Sequence, residues 1–298
     1  MKKTYKVGTR RSPLAQWQAD QVIAKLQSVY PDKNFEKVFI QTKGDKDQTT
    51  ALDKMRGQGV FVKAIQRSLL NGEIDFAVHS AKDMPSIEEK GLMIGAVPLC
   101  GNRHDSLLYK KGHLLGEGSV IGTSSLRRQF EIKSLWPHCQ VKPLRGNIET
   151  RLQKLLSGEY DAIMMASAAI ERLEMDLESR EIETITLPQK LPFIPAVGQG
   201  FVAVECALQG ECYELVRAIN VPQYEECLAS ERAFLSVFGV GCNVPIGAMA
   251  EIEQEKIVLT GIVGDVETGH YVSETVIGTD GQKIGYKLGH YLKEKSGI

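Results

Sequence analysis

Residues 69–81 have the sequence LLNGEIDFAVHSA, and residues 155–168 repeat its pattern as LLSGEYDAIMMASA. Each segment combines the end of a helix, a glycine, a short apolar run and small residues, which is typical of a helix that leads through a turn into a buried strand. A second pair of similar segments precedes them, GTRRS at residues 8–12 and GTSSLRR at residues 122–128. We therefore predict two similar α/β lobes. The alternative is that short helix–glycine–strand junctions resemble one another by chance.

The first hundred residues alternate short apolar runs with longer amphipathic ones, as expected for a parallel sheet with crossover helices. The predicted elements are a strand at Tyr5 to Val7, a helix that starts at Ser12 and Pro13, a helix from about Val60 to Leu70, and a strand at Phe76 to Val78. Two such lobes side by side form a cleft at the carboxyl ends of their strands, where open α/β sheets bind ligands.

The residues after about Asn220 have a different pattern. We predict a helix from Glu225 to Phe238, a glycine-rich loop that contains Cys242, and strands near Ala248, Ile257 and Tyr271. Residues 279–281, Thr-Asp-Gly, have the composition of a turn between strands, and a last helix follows. These features predict a small α+β domain with an antiparallel sheet.

The composition limits the class of protein. The chain has 298 residues, of which 43% are hydrophobic and 24% charged, with a formal net charge of −1. This length favours two or three domains, of which we expect three. Because bulk attraction to nucleic acid is not expected, an electrostatic function depends on local clusters of the 36 Lys and Arg residues. The basic N-terminus lacks the apolar stretch of a signal peptide, which predicts a cytoplasmic protein.

The most hydrophobic run, Ala162 to Ile170, is about half the length that spans a bilayer, so we predict a buried strand and no membrane role. The six cysteines include no C-x-x-C pair and no histidine partner at metal spacing, so no metal site is predicted. Cys139, Cys206 and Cys227 are predicted to lie in the core.

Basic residues occur where a predicted strand leads into a helix: Arg10 and Arg11, Arg127 and Arg128, Arg145, and Arg151 one turn later. Two arginines about 8 Å apart repel by roughly 2 kcal/mol at an effective dielectric of about 20, so these clusters predict a bound anion. The alternative for each single arginine is a local acidic partner or a position in solvent. The chain has no Walker loop, no G-x-G-x-x-G and no acidic pair for magnesium, which favours a ligand with several carboxylates over a nucleotide.

Two further residues are candidates for chemistry. Asp83 follows a predicted buried strand in HSAKDMP (residues 79–85), where its carboxylate can stabilise positive charge that develops on a substrate. The alternative for Lys82 and Asp83 is a surface ion pair. Cys242 lies in GVGCNVPIG (residues 239–247), where the flanking glycines permit an exposed loop whose thiol can act as a nucleophile.

Seven ordered segments resemble the hydroxymethylbilane synthase (porphobilinogen deaminase) family over nearly the whole chain: SPLA from Ser12, GQGVFVK from Gly57, HSAKDMP, GTSSLRR, LRGNIETRL from Leu144, LPFIPAVGQG from Leu191, and GCNVPIG. The resemblance implies a transferase of porphyrin and heme biosynthesis. Such an enzyme condenses four porphobilinogen molecules into the linear tetrapyrrole hydroxymethylbilane and releases ammonia. It also implies a dipyrromethane cofactor that serves as the primer and is joined by a thioether to Cys242.

The resemblance implies site residues as well. Asp83 is the implied catalytic residue, which holds pyrrole N–H groups and stabilises the cationic azafulvene left after deamination. The residues implied to bind the cofactor are Ser80, Lys82, Asp83, Thr123, Ser125, Arg127, Arg128 and Arg151. The residues implied to face the incoming substrate are Arg10, Ser12, Gln18, Arg145 and Arg151.

The implied fold is α/β, with two periplasmic-binding-protein-like (type II) lobes and a small C-terminal α+β domain with an antiparallel sheet. Residues 1–97 and 197–217 are expected to form domain 1, residues 98–196 domain 2, and residues 218–298 domain 3, which carries the cofactor-attachment cysteine. We expect a cytoplasmic monomer whose partner is the small molecule porphobilinogen, without nucleic-acid or membrane partners.

The sequence departs from the family pattern at several positions. The family has lysine where Gln58 stands and glycine where Arg56 stands, and Ala64 and Ala169 replace a common glutamate and a common glycine. The segment from Leu99 to His104 lacks the acidic, proline-containing hinge of the family. We expect these differences to alter the motion of a loop and of the two lobes.

Two other classes of function stay open at this point. A two-lobed binding protein for an anionic small molecule would use the same lobes without chemistry, although the glycine-flanked Cys242 and the missing export signal argue against it. An anion-regulated DNA-binding protein would need a helix-turn-helix segment or a strongly basic face, and the sequence offers no convincing one.

Overall fold

The computed structural model describes residues 4–42, 62–188, 191–239 and 244–297. The strands in these ranges are β1 Thr4–Thr9, β2 Asn34–Phe39, β3 Phe76–Ser80, β4 Leu92–Cys100, β5 Asp105–Lys110, β6 Val120–Gly122, β7 Gln140–Lys142, β8 Ala162–Ala166, β9 Ile182–Thr186, β10 Phe201–Ala207, β11 Ile246–Glu253, β12 Lys256–Gly264 and β13 Tyr271–Gly278. The helices are α1 Pro13–Val29, α2 Lys63–Leu70, α3 Leu126–Leu135, α4 Ile148–Leu156, α5 Ser167–Arg172, α6 Glu211–Arg217, α7 Pro222–Ser236 and α8 Gly281–Ser296. None of these helices is both long enough and apolar enough to cross a membrane.

Two five-stranded sheets have the same strand order, which confirms the two predicted α/β lobes. The order is β2-β1-β3-β10-β4 in the first lobe and β7-β6-β8-β5-β9 in the second. In each sheet the first three strands are parallel, and the fourth is antiparallel to the third. That antiparallel strand is the one through which the chain enters from the other lobe. The domain boundaries at residues 97, 196 and 217 stay a prediction.

The C-terminal part forms an antiparallel sheet, β11-β12-β13, against which α7 and α8 pack. This arrangement confirms the predicted α+β domain. Phe234, Leu259 and Leu288 are fully buried in its core. Gly285 permits the close packing of the two helices, because a Cβ there would lie 2.3 Å from the Ser230 carbonyl oxygen.

The start of α1 follows the sequence prediction. Ser12 Oγ accepts a hydrogen bond from Ala15 N at 3.4 Å, and Pro13 is the first helical residue. The second predicted helix is present as α2 from Lys63, and residues 60 and 61 of its predicted range lie outside the described residues.

Two predicted local elements are wrong. The apolar run from Ala162 to Ile170 is not one strand, because β8 ends at Ala166 and α5 begins at Ser167. Apolar content alone does not distinguish a buried strand from a buried helix. Residues 279–281 do not connect two strands, because Asp280 caps α8 by accepting a hydrogen bond at 3.0 Å from the backbone N–H three residues later.

The prediction of core cysteines is correct for two of the three residues. Cys206 and Cys227 are buried, and burial raises the pKa of both thiols to about 12. The prediction for Cys139 is wrong, since this residue is only partly buried. It lies in the turn between α3 and β7 rather than on the buried face of either element.

Candidate active site

A cavity of about 750 Å³ lies between the two lobes and is lined by residues from both. Seven of the predicted site residues line it: Arg10, Ser12, Lys82, Asp83, Arg128, Arg145 and Arg151. Arg11 lines it as well. Cations that are far apart in the chain therefore converge on one cleft.

The wall from the first lobe is built at the ends of β1 and β3. Arg10 follows the last residue of β1 and precedes the cap of α1. The buried strand β3 ends at Ser80, and a single helical turn, Ala81–Asp83, places Lys82 and Asp83 at the cleft. The returning chain packs against this turn at Gly198, whose φ is +75° and where a Cβ would lie 3.0 Å from the Lys82 backbone nitrogen. A glycine is therefore required at this close approach.

The wall from the second lobe is built at two helix N-termini. Ser125 caps α3 by accepting a hydrogen bond from Arg128 N at 3.5 Å. Asn147 caps α4 by accepting one from Thr150 N at 2.9 Å. Arg151 lies in the first turn of α4. Both helices direct the positive end of their dipole toward the cleft side, which adds to the side-chain charge and favours an anion there.

A buried ion cluster lies on α3 and at the start of β5. Asp105 Oδ2 accepts a hydrogen bond from Arg127 Nη2 at 2.6 Å, and its Oδ1 accepts from Arg128 Nε and Nη2 at 3.0 and 2.7 Å. Arg127 also donates to Glu131 and to the Ile194 carbonyl oxygen. Burial opposes the charged form of Asp105, but the Arg127 and Arg128 charges outweigh it and hold its pKa well below its usual range. Arg128 lines the cleft, whereas Arg127 does not.

Four other predicted residues lie near the cleft without lining it. Gln18 Nε2 donates to Ser80 Oγ at 2.9 Å, and Ser80 Oγ donates to Gln18 Oε1 at 3.1 Å, so this pair ties α1 to the end of β3. Thr123 Oγ1 accepts a hydrogen bond from Ser125 N at 3.2 Å and shapes the turn between β6 and α3. These side chains support the segments that carry the residues of the cleft.

The crowding of cations changes the acidity of two side chains in the cleft. The Lys82 side chain is exposed to the cavity, but the surrounding cleft walls remove part of its hydration. This desolvation, together with the nearby positive charge of Arg128, lowers the pKa of Lys82 to about 8. Burial and the same Arg128 charge lower the pKa of Arg151 to about 10. A bound anion opposes both shifts, so the electrostatics of the cleft favour a polycarboxylate ligand.

The outer part of the cleft contains charged residues that the sequence did not point out. Glu149, Glu174 and Asp176 line it together with Arg180. Both carboxylate oxygens of Glu149 accept from Arg180 Nη1 at 3.0 Å. The sequence offered a clue to Glu149, because this residue lies within LRGNIETRL between two predicted arginines. It offered no clue to Arg180, since that residue follows a loop far from any motif.

Several predicted positions lie outside the described residues. Among them are Cys242, the predicted attachment residue, and the departures Arg56 and Gln58. The described chain stops at Gly239 and resumes at Val244, directly before β11. The attachment of a cofactor therefore stays a prediction.

Three departures from the family pattern lie within the described residues. Ala64 is partly buried in α2, and Ala169 is buried in α5 and lines the cleft. In the crossover from Leu99 to His104, Arg103 forms an ion pair with Glu231 of α7. This segment is therefore tied to the C-terminal domain, and its effect on interlobe motion stays a prediction.

The fold and the cleft define a class of protein: a two-lobed α/β protein whose interlobe cleft is lined by cations and suits a polycarboxylate. Comparison with protein families is more specific. Residues 5–213 match the family model "Porphobilinogen deaminase, dipyromethane cofactor binding domain", and residues 225–294 match "Porphobilinogen deaminase, C-terminal domain". The chain belongs to the porphobilinogen deaminase family.

Curated relatives agree over nearly the full length. The porphobilinogen deaminase of Brevibacillus brevis is 42% identical over 293 residues, which cover 97% of this chain and 93% of that protein. That of Nostoc sp. is 39% identical over 303 residues, which cover 99% of this chain and 92% of that protein. Among solved structures, an ancestral arginine-binding protein bound to glutamine matches with 17% identity and a TM-score of 0.40, covering 76% of this chain and 92% of that chain. A likeness of that extent says nothing about function.

Proposed function

We propose that this chain is a hydroxymethylbilane synthase. It condenses four porphobilinogen molecules into the linear tetrapyrrole hydroxymethylbilane and releases ammonia at each addition, which is a step of porphyrin and heme biosynthesis. The observation that carries the proposal is the convergence of cations from both lobes on one cleft, in a chain of the porphobilinogen deaminase family. A binding protein without chemistry and a DNA-binding protein do not explain both features.

The donor set of the cleft fits a dipyrromethane cofactor, because each pyrrole ring bears carboxylate side chains and both walls supply cations. Cys242 holds this cofactor through a thioether. When bound, the cofactor supplies the pyrrole carbon that forms the new bond. We assign its binding to a set of polar and charged residues: Ser80, Lys82, Asp83, Thr123, Ser125, Arg127, Arg128 and Arg151. Within this set Arg127 acts through its contact with Asp105.

The incoming substrate is assigned to four residues that line the cleft and to Gln18, which lies beside it: Arg10, Ser12, Gln18, Arg145 and Arg151. The charges of the three arginines hold the substrate carboxylates and thereby orient the reacting carbon. Asp83 is the catalytic residue. Its carboxylate stabilises the positive charge that develops on the substrate as ammonia leaves.

We further propose a cytoplasmic monomer whose partner is porphobilinogen, without nucleic-acid or membrane partners. A cleft built within a single chain and a net charge of −1 support this assignment. The proposed domains are residues 1–97 with 197–217, residues 98–196, and residues 218–298.

The intact mass of the purified chain tests the function and the attachment residue. We expect the parent chain to carry extra mass equal to two pyrrole units, to release ammonia from porphobilinogen, and to lose the extra mass in Cys242→Ser. Cys139→Ser is the matched control, because this thiol is partly exposed but does not line the cleft. Equal, adduct-free masses of the parent and Cys242→Ser after incubation with porphobilinogen would reject the proposal.

A further inference from the structure

Glu131 is a buried carboxylate that the proposed reaction does not use. It lies on α3 one turn after Arg127 and is 1% exposed. One of its oxygens, Oε1, accepts a hydrogen bond from Arg127 Nη1. The other, Oε2, is buried and has no hydrogen-bond partner among the residues that the structure describes. An ionised oxygen in that position is unfavourable, because burial removes its hydration without replacing it.

Glu131 belongs to a cluster of four charged groups with Arg127, Arg128 and Asp105. Two guanidinium groups and two carboxylates cancel when all four are ionised, so the cluster is then neutral. Protonation of one carboxylate leaves one net positive charge behind the cleft that Arg128 lines. Lys82 adds a further cation from the other lobe, which interacts with both arginines and with Asp105.

The contacts decide which carboxylate takes up a proton. Asp105 accepts hydrogen bonds from Arg127, Arg128 and Gln199, and its pKa is held low in spite of burial. Glu131 accepts one hydrogen bond from Arg127. Burial, which the Arg127 charge offsets only in part, raises the pKa of Glu131 to about 7. Glu131 is therefore the member of the cluster whose charge changes near neutral pH.

Two side chains of the crossover, Arg103 and His104, also face Glu131. A cavity of about 10 Å³ is lined by Glu131, Asp105, Arg103 and His104. Arg103 donates to Glu231, and His104 Nδ1 lies 2.6 Å from a backbone carbonyl oxygen, so both are engaged elsewhere. The positive charge that balances an ionised Glu131 is therefore that of Arg127 on α3.

We propose that Glu131 takes up a proton from solvent when a polycarboxylate binds beside Arg128, and that this proton strengthens binding. The negative charge of the ligand disfavours an ionised Glu131. Once Glu131 is neutral, Asp105 is the only carboxylate of the cluster that still neutralises Arg127. Asp105 therefore neutralises less of the Arg128 charge. Protonation and ligand binding are then linked, each favouring the other. Glu131 is thus a positioning residue, and the inference rests on the proposed function because cofactor and substrate are the polycarboxylates concerned.

Calorimetry of a primer-free chain tests this linkage without depending on turnover. The chain is Cys242→Ser, and the probe is propane-1,2,3-tricarboxylate at about pH 7.5, above the range in which its carboxylates take up protons. Titrations in two buffers of different ionisation enthalpy give the number of protons taken up per ligand bound. We expect net uptake of a fraction of one proton. The affinity should fall by up to about tenfold per pH unit above the Glu131 pKa of about 7.

Glu131→Gln in the same background is the decisive variant, because the amide keeps an acceptor for Arg127 and does not titrate. We expect it to remove the share of the proton uptake that belongs to Glu131, so that less proton is taken up than by the parent and only the pH dependence from Lys82, whose pKa is about 8, remains. Glu274→Gln, the same change at an exposed residue of β13, is the matched control and should behave as the parent. Equal proton uptake by Glu131→Gln and its parent would overturn the proposal.

The primer-loaded enzyme supplies a second readout. The KM for porphobilinogen of the parent should rise with pH from about 7, whereas that of Glu131→Gln should rise less steeply and only as Lys82, whose pKa is about 8, loses its charge. A parent chain without the mass of the primer contradicts the proposed function. A loaded, active parent with the same pH dependence of KM as Glu131→Gln contradicts only the role of Glu131.

Discussion

Arg103 and Glu231 form a buried ion pair that joins the crossover between the two lobes to helix α7 of the C-terminal domain. Glu231 also accepts hydrogen bonds from the backbone N–H groups of Gly198 and Ala250, each at 2.8 Å. Arg103 in turn donates to the Gln199 carbonyl oxygen at 3.2 Å. Both segments that pass between the lobes are therefore attached to the third domain at this pair.

Removing one member of the pair should destabilise the whole molecule. Glu231→Gln leaves the Arg103 guanidinium buried without its counter-charge, so we expect the free energy of unfolding to fall by about 3 to 5 kcal/mol. Chemical denaturation measures this change. The pair of Arg217 and Glu225, which is about one-third exposed, provides the control, since Glu225→Gln should cost less than about 1 kcal/mol. Equal losses in the two variants would contradict the role assigned to the buried pair.

Asp83→Asn should separate loading of the primer from turnover. The amide has nearly the shape of the carboxylate but lacks its negative charge, so the variant should carry the primer and lose nearly all activity. Intact mass and ammonia release measure the two properties on the same sample. Turnover close to that of the parent would remove Asp83 from its assigned role.

Lys82 should set an alkaline limit on primer loading. Because its pKa is lowered to about 8, Lys82 loses its charge as the pH rises through that value, and anion binding weakens there. Lys82→Arg keeps the charge at higher pH and should move the limit upward. The rate at which loaded chain appears, followed by intact mass against pH, measures the effect. Lys283→Arg at an exposed position of α8 is the control, and a limit that coincides in all three chains would contradict the prediction.

Glu131 should make the stability of the primer-free chain depend on pH. Its folded-state pKa of about 7 lies above the value of 4.5 that is usual for an exposed glutamate, so the folded chain holds a proton that the unfolded chain releases. The associated stability is fully present below about pH 4.5 and is lost as the pH rises through about 7, up to about 3 kcal/mol. Glu131→Gln should lack this loss. Denaturation of both chains at about pH 5 and about pH 8 measures the difference, and parallel behaviour would refute the prediction.

The two lobes were predictable because their evidence is local. A helix end, a glycine and a buried strand recur at residues 69–81 and 155–168, and each of these is governed by neighbours in the chain. The cap at Ser12 was predictable for the same reason, since a side-chain oxygen and the proline after it suffice to start a helix. The run from Ala162 to Ile170 was not, because burial on all sides removes the periodicity that separates a strand from a helix.

The ion cluster on α3 could not be predicted in the same way. Asp105 lies 22 residues before Arg127 and meets it only because β5 enters the second sheet antiparallel to β8. The i,i+4 spacing of Arg127 and Glu131 was visible in the sequence, but such pairs are common on exposed helix faces. Burial of the pair, which gives Glu131 its raised pKa, depends on how the two lobes and the third domain pack.

The sequence by itself determined the types of the main elements, the positions of the cations before the helices, and a resemblance to a family that the comparisons confirm. The tertiary structure decided which of those cations reach the cleft. Adjacent residues of a helix point about 100° apart, so Arg128 lines the cleft while Arg127 turns to Asp105 and Glu131. The sequence places both arginines at the start of the same helix. Only the packing around that helix directs one of them to the cleft and the other to the buried carboxylates.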